Sequence, residues 1–305
     1  MLAHTPELPA VPTLPRRSPS EGMIAQAVVG IRGITVGQYG NLAVARGRID
    51  VAAPVETPLD SDAFEGLRAF LAAAPASTKH VKWQLVGPVT LGLALVRAGV
   101  SERIAFTVAE RAVCAHVLAV HARIAEALPL ARHVVFLDEP MLTDLQDGSF
   151  PIAPAAALDC VSSALATIEC FGVSGVHCCG DGDWASILST GPRVLSLPVR
   201  SRLVDVAGYL AQFLERDGWV AWGAIDTDGP IPMSAERPAK ALSELWCRLV
   251  SAGCDPERLV RQSMVTPACG LFTHAEGVAT RLFRLVRALS EKVNADATAT
   301  RLSMS

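Results

Sequence analysis

The sequence has little net charge and no long uninterrupted apolar run. Its 305 residues carry a formal charge of −3, and the lysines and arginines are scattered along the chain, so we expect no nucleic-acid partner. The longest apolar run, Leu85 to Val96, contains Gly87 and Pro88 and falls short of the roughly 20 residues that a membrane span needs. We therefore expect no membrane-spanning segment.

Several motifs are also absent. The chain has no Gly-x-Gly-x-x-Gly turn, phosphate loop or Gly-x-Ser-x-Gly elbow, which leaves nucleotide binding and serine hydrolysis without support. The first 22 residues hold five prolines and no basic-then-apolar signal pattern, so we expect a cytoplasmic protein. In a compartment that keeps thiols reduced, the eight cysteines predict metal-binding, catalytic or buried apolar thiols and no disulfide framework.

From residue 81 onward, short β-branched or apolar runs alternate with longer amphipathic stretches, which is typical of repeated βα units around a parallel sheet. We therefore predict one α/β domain, a (β/α)8 barrel of the TIM type over residues 23–305, after a proline-rich leader over residues 1–22. The predicted strands are Val81–Val86, Val134–Leu137, Val173–His177, Val194–Leu197, Val220–Ala224 and Ser263–Val265. The predicted helices between and after them include Ile104–Leu128, Ala155–Phe171, Leu203–Asp217, Glu236–Ala252 and His274–Val293.

A complete barrel needs two strands before Val81, and the sequence offers one, around Ala25–Gln38. We count this segment as the second strand, so the first strand is absent or atypical. Closure of the barrel then falls to another segment of the chain or to a partner subunit in a homodimer.

The strongest motif for chemistry is Val176-His177-Cys178-Cys179-Gly180 at the end of a predicted strand. Side chains alternate along a strand, so His177 and Cys179 point to one side and Cys178 to the other. Catalytic groups of barrel enzymes lie at this carboxyl end. The pair predicts half of a zinc site, although buried packing of the cysteines is the alternative for this triplet alone.

A second cysteine motif, Thr266-Pro267-Ala268-Cys269-Gly270-Leu271, follows the last predicted strand. Pro267 and Gly270 predict a tight turn that presents Cys269. With His177 and Cys179, Cys269 completes a set of one histidine and two cysteines. Catalytic zinc sites characteristically use three protein ligands and leave a fourth position open, so we predict Zn²⁺ as the cofactor.

Acidic residues follow two other predicted strands. Asp138 and Glu139 end the first in Phe136-Leu137-Asp138-Glu139-Pro140, and Asp226 and Asp228 follow the second. These carboxylates are predicted to hold a substrate amine or to transfer a proton, and capping of a helix is the alternative. Two acidic strand ends favour a substrate with a cationic group.

Five segments, in order along the chain, resemble motifs of the cobalamin-independent methionine synthases and related uroporphyrinogen decarboxylase-like methyltransferases. Gln84–Thr90 resembles the family's Leu-Thr-Gly-Pro-Val-Thr, and Asp138–Pro140 its Asp-Glu-Pro. His177–Cys179 resembles its His-x-Cys zinc motif, Asp226–Pro230 its Asp-Ile-His-Ser-Pro, and Cys269–Leu271 its Cys-Gly-Leu.

The resemblance implies a zinc enzyme of methionine biosynthesis that methylates the thiol of homocysteine or a similar small thiol. The methyl donor would be a methyl-folate or a methyl-corrinoid protein. Asp138 would hold the substrate ammonium and take part in catalysis. The substrate-binding set would be completed by Glu139, Gln84 and Thr90.

The chain also departs from the family pattern. The family's fourth zinc ligand, a glutamate, falls on Pro198, so the site keeps three protein ligands or recruits Asp181 or Asp183. The family's proton-transferring histidine is replaced by Asp228, which we predict to be catalytic. The family's Gly-Ser motif, which helps anchor the substrate carboxylate, has no counterpart.

Two other functions remain open from the sequence. The first is a decarboxylase similar to uroporphyrinogen decarboxylase, which uses the same barrel without zinc and needs arginines at the mouth. The second is a non-catalytic protein that binds zinc or a thiol. The missing fourth ligand and the replaced histidine motivate the second alternative.

Overall fold

Eight strands form two separate sheets in this computed structural model, which describes residues 2–45, 47–199 and 202–304, with side chains as far as residue 295. A two-stranded antiparallel hairpin joins β1 (Ile34–Val36) and β2 (Leu42–Val44). The main sheet is parallel, and its six strands lie side by side in sequence order: β3 (His80–Val86), β4 (Arg132–Asp138), β5 (Gly172–His177), β6 (Val194–Pro198), β7 (Trp219–Ile225) and β8 (Ser263–Pro267).

Helices precede and connect these strands, as the alternating sequence pattern predicts. The helices in chain order are α1 (Met23–Ala27), α2 (Glu65–Ala73), α3 (Pro88–Arg97), α4 (Glu102–Ala127), α5 (Pro154–Glu169), α6 (Trp184–Ser189), α7 (Ala207–Glu215), α8 (Glu236–Ser251), α9 (Pro256–Arg261) and α10 (Glu276–Met304). All six strands predicted from Val81 onward are confirmed to within two residues at either end. Helix α10 continues well beyond the predicted end at Val293.

The main sheet curls into part of a barrel, as the predicted (β/α)8 type requires, but its six strands do not form a closed eight-stranded barrel. In the described part of the chain, β8 pairs only with β7, and β3 pairs only with β4 and a short leader segment. The strand predicted at Ala25–Gln38 is wrong, because this segment begins inside α1 and ends in the separate hairpin. Gly30 at φ +79° interrupts it, and a Cβ there would lie 1.6 Å from the carbonyl oxygen of Glu56.

The leader lies beside β3, where the second barrel strand was expected. Ala10 forms a parallel bridge with Lys82. The amide of Val11 donates to the carbonyl of Lys82 at 2.8 Å, and the amide of Lys82 donates to the carbonyl of Pro9 at 2.9 Å. The Arg16 guanidinium reaches the carbonyl of His274, ahead of α10, at 3.1 Å. The leader therefore packs on the barrel, and its predicted boundary at residue 22 stays a prediction.

Side chains of the main sheet alternate between two apolar regions. Those facing the helices belong to the large core, for example Trp83, Leu137, Val176, Leu195 and Trp222. Those facing the inside of the curled sheet form a small cluster of Phe136, Val194 and Ala221, all at most 5% exposed. Because β4, β5 and β6 run parallel, their carboxyl ends place Asp138, His177 and Ser196 together on this inner face.

Helix α4 is the one described helix that is long and apolar enough to cross a membrane by length and composition. Half of its most apolar stretch is buried within the protein, where it packs against α3 and α5. This burial is that of a core helix.

Candidate metal centre

His177, Cys179 and Cys269 meet at the carboxyl end of the curled sheet. His177 is the last residue of β5, Cys179 lies two residues further, and Cys269 lies two residues beyond the end of β8. The ligand atoms of the three side chains all lie within 4.8 Å of one another, and each residue is half-buried. The structure thus joins the three predicted ligands across some 90 residues of sequence, in an arrangement that can bind a metal.

Cys178 lies on the opposite face of the same segment. Its side chain is fully buried in the large core and faces the helices. Burial raises the pKa of this thiol to about 11. Alternation along β5 therefore separates one packing cysteine from one candidate ligand.

The half-buried thiols of Cys179 and Cys269 interact with each other. The Cys179 thiol and His177 donate hydrogen bonds that lower the pKa of Cys269, whereas the shared hydrogen bond raises the pKa of Cys179. The hydrogen bond between the two sulfur atoms thus favours ionisation of Cys269 over that of Cys179. A metal ion held by His177, Cys179 and Cys269 would displace the thiol proton, because thiolates and not thiols bind metals.

Ser196 fixes the orientation of His177. Its hydroxyl lies 3.0 Å from Nδ1 of His177, across the β5–β6 pair, and Ser196 is 7% exposed. With Nδ1 engaged, Nε2 is the imidazole nitrogen left for the cluster. Ser196 was not among the predicted residues, although an inward-facing serine within the apolar run Val194–Leu197 was a signal for it.

We expect Ser196→Ala to weaken zinc binding by about 10- to 100-fold, because loss of the hydrogen bond to a metal-binding histidine frees its ring and its tautomer. Competition with a chromophoric chelator measures the zinc dissociation constant. Ser174→Ala is the matched control, since Ser174 is a buried strand serine that bonds Glu169 and not a candidate ligand. Equal zinc affinity of Ser196→Ala and the wild type would contradict this role.

Asp138 lies next to the metal centre. It is opposite His177 in the β4–β5 register, and the Gln84 side-chain amide donates to its Oδ2 at 2.9 Å. Burial raises the pKa of Asp138, while His177, Lys82 and Gln84 act in the opposite direction. The predicted substrate-binding residues Asp138 and Gln84 are thus neighbours on the inner face.

Glu139 and Thr90 form a separate, enclosed pair. Glu139 is fully buried and accepts hydrogen bonds from the amides of Val89 and Thr90, both at 2.8 Å, and from the Thr90 hydroxyl at 2.6 Å. These donors lie in the first turn of α3. Glu139, which directly follows β4, therefore caps that helix. Burial raises its pKa to about 7, against the effect of these three hydrogen bonds. A substrate contact by either residue stays a prediction.

The remaining predicted residues lie outside the cluster. Asp228 is exposed in the loop after β7. Asp181 accepts a hydrogen bond from the Arg202 amide at 3.0 Å, and Asp183 caps α6. Pro198 ends β6 on the inner face and abuts Gly223. Among the described residues, therefore, no carboxylate joins His177, Cys179 and Cys269 as a fourth ligand.

No protein-family model and no curated protein sequence matches this chain. Among solved structures, the fold is similar to that of a protein from Listeria monocytogenes, provisionally named a vitamin-B12 independent methionine synthase, with a TM-score of 0.56. The two chains are 16% identical, and the similarity covers 88% of this chain and 77% of the other. At this identity the likeness establishes the α/β fold alone.

Proposed function

We propose that this protein is a zinc-dependent methyltransferase that binds a small thiol, homocysteine or a similar one, and methylates it from a methyl-folate or a methyl-corrinoid protein. The observation that carries the proposal is the convergence of one imidazole and two thiols, His177, Cys179 and Cys269, at the carboxyl ends of β5 and β8. This position is where barrel enzymes place their reactive groups.

The donor set fits a catalytic zinc ion. Two cysteines and one histidine are a known catalytic zinc set, and such sites leave a fourth position for substrate. A fourth position would stay open, because the side chain of Pro198 has no donor atom and Asp181 and Asp183 bond to groups outside the cluster. Zinc held by His177, Cys179 and Cys269 would deprotonate a thiol bound at the fourth position and so supply the nucleophilic thiolate.

Residues of the chain would then orient the thiol substrate. We propose that Asp138 holds the substrate ammonium, kept in place by Gln84, and that Ser196 keeps His177 in register. Asp228, exposed after β7, is our candidate for proton transfer. The Glu139–Thr90 pair fixes the start of α3 beside this site.

The name of the Listeria fold neighbour favours methionine biosynthesis as the setting of this reaction. We propose that the protein acts in the cytoplasm, where its thiols stay reduced. Homodimer formation remains a further proposal for closing the sheet edge at β8.

X-ray absorption at the zinc edge tests the proposal. We expect two sulfur ligands in the zinc-loaded protein and three after addition of homocysteine, because the substrate sulfur takes the open position. The same sample should then form methionine when supplied with methyltetrahydrofolate or methylcobalamin. Cys178→Ala is the control and should gain the third sulfur as the wild type does, because Cys178 faces the helices.

Two results would contradict the proposal. One is a sulfur count that stays at two with homocysteine present. The other is turnover of a porphyrinogen by the metal-free protein, which would favour the decarboxylase alternative. Binding of the third sulfur without transfer from either donor would instead support a non-catalytic thiol-binding protein.

A further inference from the structure

A lysine lies inside the curled sheet, below the metal centre. Lys82 is on the inner face of β3, two residues before Gln84, and it is half-buried. Its ammonium donates a hydrogen bond to Oε1 of Gln84 and lies 5.2 Å from the centroid of the Phe136 ring. Phe136 belongs to the small inner apolar cluster with Val194 and Ala221.

The charge of Lys82 is incompletely paired within the described chain. Gln84 stands between it and the neighbouring carboxylate, accepting from Lys82 through Oε1 and donating to Asp138 through Nε2. An ammonium has three donors, and here one of them is bonded to the amide while the ring offers only a weak partner. An enclosed cation of this kind favours the arrival of an anion, because a charge-assisted hydrogen bond offsets its desolvation.

Lys82 is also connected to the metal centre by a line of polar groups. Lys82 bonds Gln84, Gln84 bonds Asp138, and Asp138 lies opposite His177 on the adjacent strand. Adjacent strands are about 4.8 Å apart, so the ammonium is two hydrogen bonds and one strand spacing from the cluster. A substrate that is bound at the cluster through its sulfur and extends along this line of groups would meet Lys82.

We propose that Lys82 is an anion subsite that binds a carboxylate of the acceptor thiol, which makes it a specificity-determining residue. This inference rests on the proposed function and narrows the acceptor to a thiol that carries a carboxylate. With Asp138 beside it as the acceptor for an ammonium, the inner face presents one positive and one negative group to the substrate. An amino-acid thiol matches both groups.

Two thiols that differ only in the carboxylate test this inference. Homocysteine and 3-aminopropanethiol are titrated by calorimetry into the zinc-loaded wild type and into Lys82→Met. We expect the wild type to prefer homocysteine. Lys82→Met should bind homocysteine about 10- to 100-fold more weakly and 3-aminopropanethiol unchanged, because one charge-assisted hydrogen-bonding partner is lost.

Further variants keep the result interpretable. Lys79→Met removes an exposed lysine just before β3 and should keep the wild-type preference. Lys82→Arg retains the charge and should restore part of the preference, which identifies charge as the cause if Lys82→Met is less stable. Equal affinity of the wild type for the two thiols, or equal weakening of both by Lys82→Met, would overturn the inference and leave the zinc–thiol proposal standing. Failure of homocysteine to bind the zinc-loaded wild type would overturn both this inference and the zinc–thiol proposal.

Discussion

Cys269→Ala protein, purified without added zinc, is expected to contain no zinc, whereas the wild type should contain about one equivalent. Removing one of three protein ligands leaves only His177 and Cys179, too few for a tightly held zinc ion. Elemental analysis by mass spectrometry, normalised to protein concentration, measures the ratio.

Cys178→Ala provides the matched control for this loss. Cys178 adjoins Cys179 in sequence, yet its side chain is buried on the opposite face, so this variant should keep its zinc and lose only packing. A wild type with far less than one equivalent of zinc would count against the metal centre. So would equal zinc in Cys269→Ala and the wild type.

Glu139→Ala is expected to lower the free energy of unfolding by about 3–5 kcal/mol. The substitution deprives two buried amides and the Thr90 hydroxyl of their acceptor and leaves a cavity against α3. The neighbouring side chains cannot easily relax into this cavity, because the adjacent residue Gly87 has none. Gly87 is so close that a Cβ there would lie 2.2 Å from the Glu139 carboxylate. Urea unfolding followed by circular dichroism measures the difference.

Two comparisons make the Glu139 result specific. Glu139→Gln keeps the volume and one carbonyl oxygen, so its loss should be smaller than that of Glu139→Ala. Asp183→Ala removes a half-buried helix cap and should cost about 1 kcal/mol. A loss below 1 kcal/mol for Glu139→Ala would show that its three hydrogen bonds do not hold α3.

Local patterns in the sequence were sufficient to predict the parallel strands and the convergence of His177, Cys179 and Cys269. The strands β3 to β8 are short apolar runs that alternate with amphipathic helices, and this repeated alternation predicts a parallel sheet. His177, Cys179 and Cys269 were identifiable because two strand ends of one curled sheet must point to the same rim.

Features that depend on distant partners were not predictable in the same way. Glu139 follows an apolar strand as Asp138 does, but its donors come from α3, nearly 50 residues earlier in the chain. The run Ala25–Gln38 is apolar enough for a strand. Gly30 and Gly33, both at positive φ, interrupt it, and its end pairs with β2 in the separate hairpin instead of joining the main sheet. Pro9–Val11 pairs with β3 despite its proline, because the pairing uses only the carbonyl of Pro9 and the amide of Val11.

The leader also affects the order in which this protein can fold. Its backbone partner Lys82 follows some 70 residues later in the sequence, and the contact of Arg16 with His274 spans 258 residues. Contacts of such long range form slowly, because a large loop must close, with a loss of chain entropy, before the contacts can stabilise the protein. We therefore expect residues 9–16 to reach their final contacts late in folding, after β3 and the segment before α10 have taken their places.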